Sequence, residues 1–271
     1  MKIISALFLA LVCSTIVHAG AVDTILVHSN AMNKDVKVVI IKPAKYKKAA
    51  ALPVVYLLHG YSGNYAGWIK EKPALAQRAD ELNVLFVCPD GGFGSWYFDS
   101  PVDPAFRYET FMTTELVPFI DSHYKTKADR NFRAIAGLSM GGHGAFYLAF
   151  RHLDLFGQAG SMAGGVDIRP FPKNWDLTKR LGDSLTNKEN WEKNTVINIA
   201  DQLQPGQLRI TFDCGVDDFF FQVNRNLHQK LLEKKIAHDY AERPGGHTSA
   251  YWTNSLDYQL LFFKKGFEEK K

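Results

Sequence analysis

The chain has 271 residues, 46% of them hydrophobic and 22% charged, with a formal net charge of +4. That balance is ordinary for a soluble globular protein, and the length suffices for one large α/β domain or two small ones. The lysine clusters at 42–48 and 264–271 are short, and Glu268 and Glu269 interrupt the second, so no nucleic-acid partner is expected.

In chain order, the first residues differ from everything after them. Lys2 is the only charge before Asp23, residues 3–17 are largely apolar, and Val17-His18-Ala19 offers small side chains where a signal peptidase reads. This is the pattern of a secretory signal peptide cleaved after Ala19, and the run is short for a membrane span. The expectation is an exported chain, periplasmic or secreted, with residues 20–271 as one domain and no stable membrane insertion. Cleavage removes Cys13 and leaves Cys88 and Cys214, a pair that invites a disulfide in a secreted protein. No Cys-x-x-Cys or His-Glu-x-x-His spacing occurs, so no metal site is expected.

Two β-rich runs, 24–30 and 36–42, flank a polar turn and predict an antiparallel pair. Residues 53–58 are continuously apolar, as in a strand covered on both faces, and end in the glycine-punctuated loop at 59–64. A helix over 74–82 and a strand over 84–88 follow, then a loop at 93–106 dense in aromatics. The spacing of apolar residues predicts a helix over 107–124, kinked at Pro118. Strands are expected at 132–138, 156–162, 208–213 and 236–242, and helices from 145, over 219–235 and over 249–267. The stretch 164–207 shows no clear strand and is too long for an idle loop, which suggests a small helical cap. Alternating strands and helices indicate an α/β fold, a mostly parallel central sheet with helices on both faces.

The strand at 132–138 runs into Gly137-Leu138-Ser139-Met140-Gly141, with a helix-forming run after it. Strand, sharp turn and helix around Gly-x-Ser-x-Gly are the context of a nucleophile elbow. Glycines relieve the crowding around so tight a turn, and the helix N-terminus favours negative charge beside the hydroxyl. A serine nucleophile needs a base, and the base an orienting acid. Functional loops of α/β sheets collect at the carboxyl ends of strands. His247, in Pro244-Gly245-Gly246-His247, stands there and is the best base, whereas His59 reads as a packed or hydrogen-bonded structural histidine. The acid belongs after the strand at 208–213, where Asp217 and Asp218 both qualify, and either could also cap a helix. The Met140 and Tyr61 backbone N–H groups are the expected oxyanion donors. Trp96, Tyr97 and Trp252, with Phe171 and Trp175, suggest an aromatic-lined cleft near the serine, although core packing explains such residues equally well.

With Tyr56-Leu57-Leu58-His59-Gly60, the elbow, Cys214-Gly215-Val216-Asp217-Asp218-Phe219 and Arg243-Pro244-Gly245-Gly246-His247 in view, the chain resembles the esterase D-like branch of the α/β hydrolases. That branch holds S-formylglutathione hydrolases, tributyrin and acetyl esterases, feruloyl esterases and mycolyltransferases. The resemblance implies the α/β-hydrolase fold and a catalytic set of Ser139, Asp218 and His247, favouring Asp218 over Asp217. It maps the oxyanion donors onto Tyr61 and Met140. Similarity to secreted feruloyl and acetyl esterases implies a serine carboxylesterase that needs no cofactor and acts on feruloyl or acetyl esters of plant polysaccharides. A secreted acyltransferase, a formylglutathione-type thioesterase and a catalytically dead carbohydrate-binding protein are the rivals. Where relatives often carry a second Ser-Gly, this chain has Ser161-Met162-Ala163-Gly164. The family's strand order also separates Cys88 from Cys214 by four strands, roughly 19 Å at about 4.8 Å per step. That exceeds the ~7 Å between Cα atoms that a disulfide tolerates, so both cysteines should be reduced and buried.

Overall fold

The structure, a computed structural model, describes residues 20–270, and the expected leader lies outside them. Eight strands form one sheet in the order β1-β2-β4-β3-β5-β6-β7-β8. β1 (Ala21–Ser29) and β2 (Lys34–Lys42) are the expected antiparallel pair. β2 also runs antiparallel to β4 (Leu85–Pro89), and all remaining pairings are parallel, through β3 (Val54–Leu58), β5 (Arg133–Leu138), β6 (Gln158–Met162), β7 (Arg209–Gly215) and β8 (His238–Arg243). β3 and β4 are buried along their whole length, which is why they read as unbroken apolar runs rather than alternating ones.

α1 (Gly67–Glu71) and α2 (Leu75–Leu82) follow β3, α3 (Tyr108–Thr110) and α4 (Val117–His123) follow β4, and α5 (Met140–Arg151) follows β5. α6 (Leu177–Leu181), α7 (Lys188–Lys193) and α8 (Val196–Ile199) lie between β6 and β7, and α9 (Phe221–Glu233) and α10 (Ser249–Glu268) flank β8. Side chains alternate across a strand, so each strand feeds two cores. Val54, Tyr56 and Leu58 join Phe146 of α5 and Leu227 of α9 on one face, while Val55 and Leu57 join Trp68 of α1 and Leu256 of α10 on the other.

Three details refine the sequence expectations. The helix predicted over 107–124 runs unbroken over 108–123 but changes winding, with a π-helical stretch, Phe111–Leu116, between α3 and α4. Pro118 lacks an N–H, and its ring would crowd the carbonyl four residues back. The wider turn just before it accommodates that conflict. The 164–207 stretch is three short helices and a 3-10 turn, with Leu177, Leu181, Trp191 and Val196 sunk into the first core. Cys88 on β4 and Cys214 on β7 are buried and unpaired, with β3, β5 and β6 between them, as the family's strand order implied.

Candidate active site

β5 ends at Leu138 and α5 begins at Met140, so Ser139 alone makes the turn, at φ 54° and ψ −117°. A non-glycine residue held there is strained, and such strain persists only where the surroundings enforce it. The enforcement is backbone crowding. A Cβ on Gly137 would lie 2.3 Å from the Gly141 carbonyl oxygen, and one on Gly141 would lie 2.4 Å from the Leu58 carbonyl oxygen. Strand β3 and the two arms of the turn therefore approach closely only because both positions are glycine. The Ser139 N–H donates to the Met162 carbonyl at 3.0 Å, tying the turn to the end of β6.

The loops after β7 and β8 bring two further side chains to Ser139. His247 Nε2 lies 2.8 Å from Ser139 Oγ, and His247 Nδ1 lies 2.7 Å from Asp218 Oδ2. The carboxylate can only accept, so Nδ1 carries the proton and Nε2 is left to accept from the serine hydroxyl. The second Asp218 oxygen accepts the Phe220 N–H at 2.8 Å, which fixes the carboxylate within its turn. Asp217, the rival for this position, is exposed and contributes its backbone instead. Its N–H donates to the Gly245 carbonyl at 3.0 Å and the Val216 N–H to the Arg243 carbonyl at 2.9 Å, zipping the two loops together. Gly245 sits at φ 118°, and a Cβ on Gly215 would meet the Gly245 carbonyl oxygen at 2.2 Å. Close contact of these loops thus requires both glycines.

Tyr61 lines a cavity of about 410 Å³ beside Ser139, together with His247, Trp175, Phe219 and Trp252. Among the described residues no protein acceptor takes the Tyr61 or Met140 N–H, whereas the neighbouring Ser62 N–H is committed to the Phe93 carbonyl at 2.8 Å. His59 holds the Tyr61 loop as a structural histidine. Its Nε2 accepts the Gly91 N–H at 2.7 Å, so its Nδ1 is the donor to the Gly60 carbonyl at 2.8 Å.

The aromatic expectations divide. Trp252 and Trp175 line the cavity; Phe171 packs behind Trp175. Trp96 and Tyr97 do not reach it, which corrects their reading as substrate contacts. Both are buried; Trp96 donates its indole N–H to the Trp175 carbonyl, and Tyr97 its hydroxyl to the His59 carbonyl. They brace the site from below, with φ of 57° and 61° bending the chain inward.

Three buried or half-buried polar groups around the site stand outside the expected catalytic set, and the sequence pattern singles out neither Asp213 nor Glu71 among them. Asp213 on β7 accepts from Ser255 Oγ at 2.5 Å and Gln259 Nε2 at 3.0 Å, both on α10, and burial pushes its carboxyl above the usual range. In the notation of the sequence it was simply the polar end of a strand. His143 is fully buried between the Trp96 and Asn194 carbonyls, and burial pulls it down to about 4, so it is neutral. A neutral imidazole has one N–H and serves only one of those carbonyls. Glu71 lines the cavity from α1, a helix too short to leave a periodic signal.

The chain matches the family described as "Putative esterase" over residues 29–263. It is 26% identical to an acetyl esterase of Caldicellulosiruptor saccharolyticus, across 87% of this chain and 95% of that protein. It is 32% identical to the diacylglycerol acyltransferase/mycolyltransferase Ag85A of Mycobacterium gordonae, across 78% of this chain and 66% of that protein. The chain spans only 51% of the length of two matching Mycobacterium tuberculosis esterases. A solved ferulic acid esterase superposes with a TM-score of 0.79 at 27% identity, covering 92% of this chain and all of that one. An eight-stranded, mostly parallel sheet with helices on both faces, a strained serine at a strand-to-helix turn and these likenesses lead to one assignment: the chain belongs to the esterase family, in the esterase D-like branch of the α/β hydrolases.

Proposed function

We propose that this esterase is an exported serine carboxylesterase working through an acyl-enzyme on Ser139. The observation that carries the reading is the hydrogen-bonded chain from Asp218 through His247 to Ser139, with bonds of 2.7 and 2.8 Å. Ser139 Oγ attacks the ester carbonyl as His247 Nε2 takes its proton, and Asp218 stabilises the imidazolium and holds its orientation. The tetrahedral oxyanion is received by the Tyr61 and Met140 N–H groups, the second at the N-terminus of α5. His247 then gives its proton to the leaving alcohol, and water releases the acyl group by the same steps. Nothing in this sequence of steps calls for a cofactor.

Substrates are feruloyl or acetyl esters, including those on plant polysaccharides. Support comes from the aromatic wall, where Trp175 stacks on Phe219 with ring centroids 5.4 Å apart and Phe219 lies 4.2 Å from the His247 ring. The names of the acetyl and ferulic acid esterase relatives point the same way. Purified Ser139→Ala should lose hydrolysis of p-nitrophenyl acetate and labelling by a fluorophosphonate while keeping its thermal unfolding. Turnover that persists in Ser139→Ala would overturn the mechanism. Methyl ferulate and acetylated xylan assayed side by side test the substrate class, and failure on both removes it. Export is tested by expressing the whole chain and sequencing the mature N-terminus, which should begin at Gly20.

The likeness to a mycobacterial acyltransferase supports a second reading, in which an alcohol rather than water accepts the acyl group. Added glycerol would then divert the acyl group into a new ester, measurable by mass spectrometry.

A further inference from the structure

The cavity beside Ser139 is aromatic along the wall formed by Trp175 and Phe219, but Glu71 stands in its lining as well. Three features make that carboxylate expensive. Burial pushes its carboxyl above the ordinary range. It is the last residue of α1, where the helix end favours cations rather than anions. Among the described residues no cation pairs with it, since the adjacent Lys72 is turned away to Asp257 at 2.9 Å and the Thr253 carbonyl. Among the described residues the one donor to Glu71 is Ser249 Oγ, 3.2 Å from Oε2. Ser249 opens α10 just after the His247 loop, so Glu71 is anchored in the same cavity lining as Ser139 and His247, and no described residue donates to its Oε1. A half-desolvated acceptor aimed into a cavity gains most from a donor that arrives with the ligand.

Resting on the esterase reading, we propose that Glu71 is a specificity-determining residue that accepts a hydrogen bond from a hydroxyl group of the bound ester. The cavity lining then combines two chemistries, aromatic side chains and a carboxylate acceptor. The hydroxyl can belong to either half of the ester, a phenol on the acyl group or a free hydroxyl on the alcohol. The same carboxylate repels esters that carry a carboxylate of their own, which disfavours glutathione thioesters.

The test compares discrimination within matched pairs. Methyl p-coumarate against methyl cinnamate places the hydroxyl on the acyl side, and glycerol monoacetate against butyl acetate places it on the alcohol side. Wild-type protein should prefer the hydroxyl-bearing member of one pair, and that pair identifies the source. In Glu71→Leu the ratio of kcat/KM within that pair should fall about ten- to a hundredfold, the size expected for one hydrogen bond to a charged acceptor. Glu71→Gln, which keeps a carbonyl oxygen, should recover part of it. Thermal unfolding of both variants checks that they fold. If wild-type protein fails on p-nitrophenyl acetate as well, the esterase reading falls and this inference with it. Turnover of p-nitrophenyl acetate with no preference in either pair, or ratios unchanged in Glu71→Leu, overturns the role of Glu71 alone. Selective loss of acetylcholine turnover in Glu71→Leu would overturn it in favour of a cation subsite.

Discussion

Asp213 and Asp218 leave the same strand within one turn of each other, both are buried, and they do opposite things. Asp218 has each oxygen taken by a firmly placed donor, the Phe220 N–H and His247 Nδ1. Asp213 points to the other face of the sheet, where Ser255, Gln259 and, at 3.4 Å, Arg243 surround Oδ2 and the Tyr251 hydroxyl lies close to the carboxylate. One carboxylate orients an imidazole. The other pins α10 to β7 and bears a desolvation cost for it, which is why its carboxyl is raised. Burial of a charge by itself therefore says nothing about catalysis; the identity of the partners does.

The largest expected effect comes from Asp218→Asn, which leaves His247 without its acceptor and should lower kcat about 10³- to 10⁴-fold, with unfolding nearly unchanged. Asp213→Ala should show the reverse in denaturant unfolding and steady-state assays, a loss of about 3 kcal/mol of stability and less than a tenfold change in kcat. The loss falls at the low end for a broken buried pair because Arg243 keeps some contact with water. If both substitutions acted alike, the distinction between the two carboxylates would collapse.

His143 extends the contrast to pH. Its folded value of about 4 lies below the ordinary 6.5, so between those limits the unfolded chain takes up a proton that the folded one refuses. Stability is then fully present above about pH 6.5 and is lost as pH falls toward 4, by on the order of 2–3 kcal/mol. Unfolding midpoints of wild type and His143→Gln across pH 4 to 7 should converge toward the acid end. A wild-type profile flat across that window would refute the buried neutral imidazole. The smallest effect belongs to Asp217→Asn. This exposed neighbour should change stability by less than about 0.5 kcal/mol and kcat by less than twofold.

How far the sequence led depends on the range of the physics involved. Ser139 and its glycines were legible because steric crowding at a tight turn is local and leaves few residue types. His247 was legible because it follows a strand, and strand ends are where this kind of sheet gathers its loops. Choosing Asp218 over Asp217 needed the family resemblance, since composition treats two adjacent aspartates alike, and only the geometry shows one buried and one in water. The substrate aromatics failed for a related reason. Trp96-Tyr97 and Trp175 sit in similar aromatic surroundings in the chain and share a left-handed backbone, yet the first two are buried in the core while Trp175 lines the cavity, a difference set by contacts far along the chain. Asp213 and Glu71 were invisible because their significance lies in partners on α10, far along the chain.

The zipper between the Gly215–Asp218 and Arg243–His247 loops bears on how the enzyme ages when heated. Among the described strands β8 is an outer one, hydrogen-bonded only to β7, and much of it is open to water. Outer strands loosen before the centre of a sheet does. Any fraying of β8 pulls on the Arg243 and Gly245 carbonyls, and so on the proposed base and acid together, while Ser139 stays locked at the sheet's centre. Activity should accordingly disappear at a lower temperature than the sheet itself. Cooling should restore it, as long as the detached strand has not met another exposed edge in the meantime.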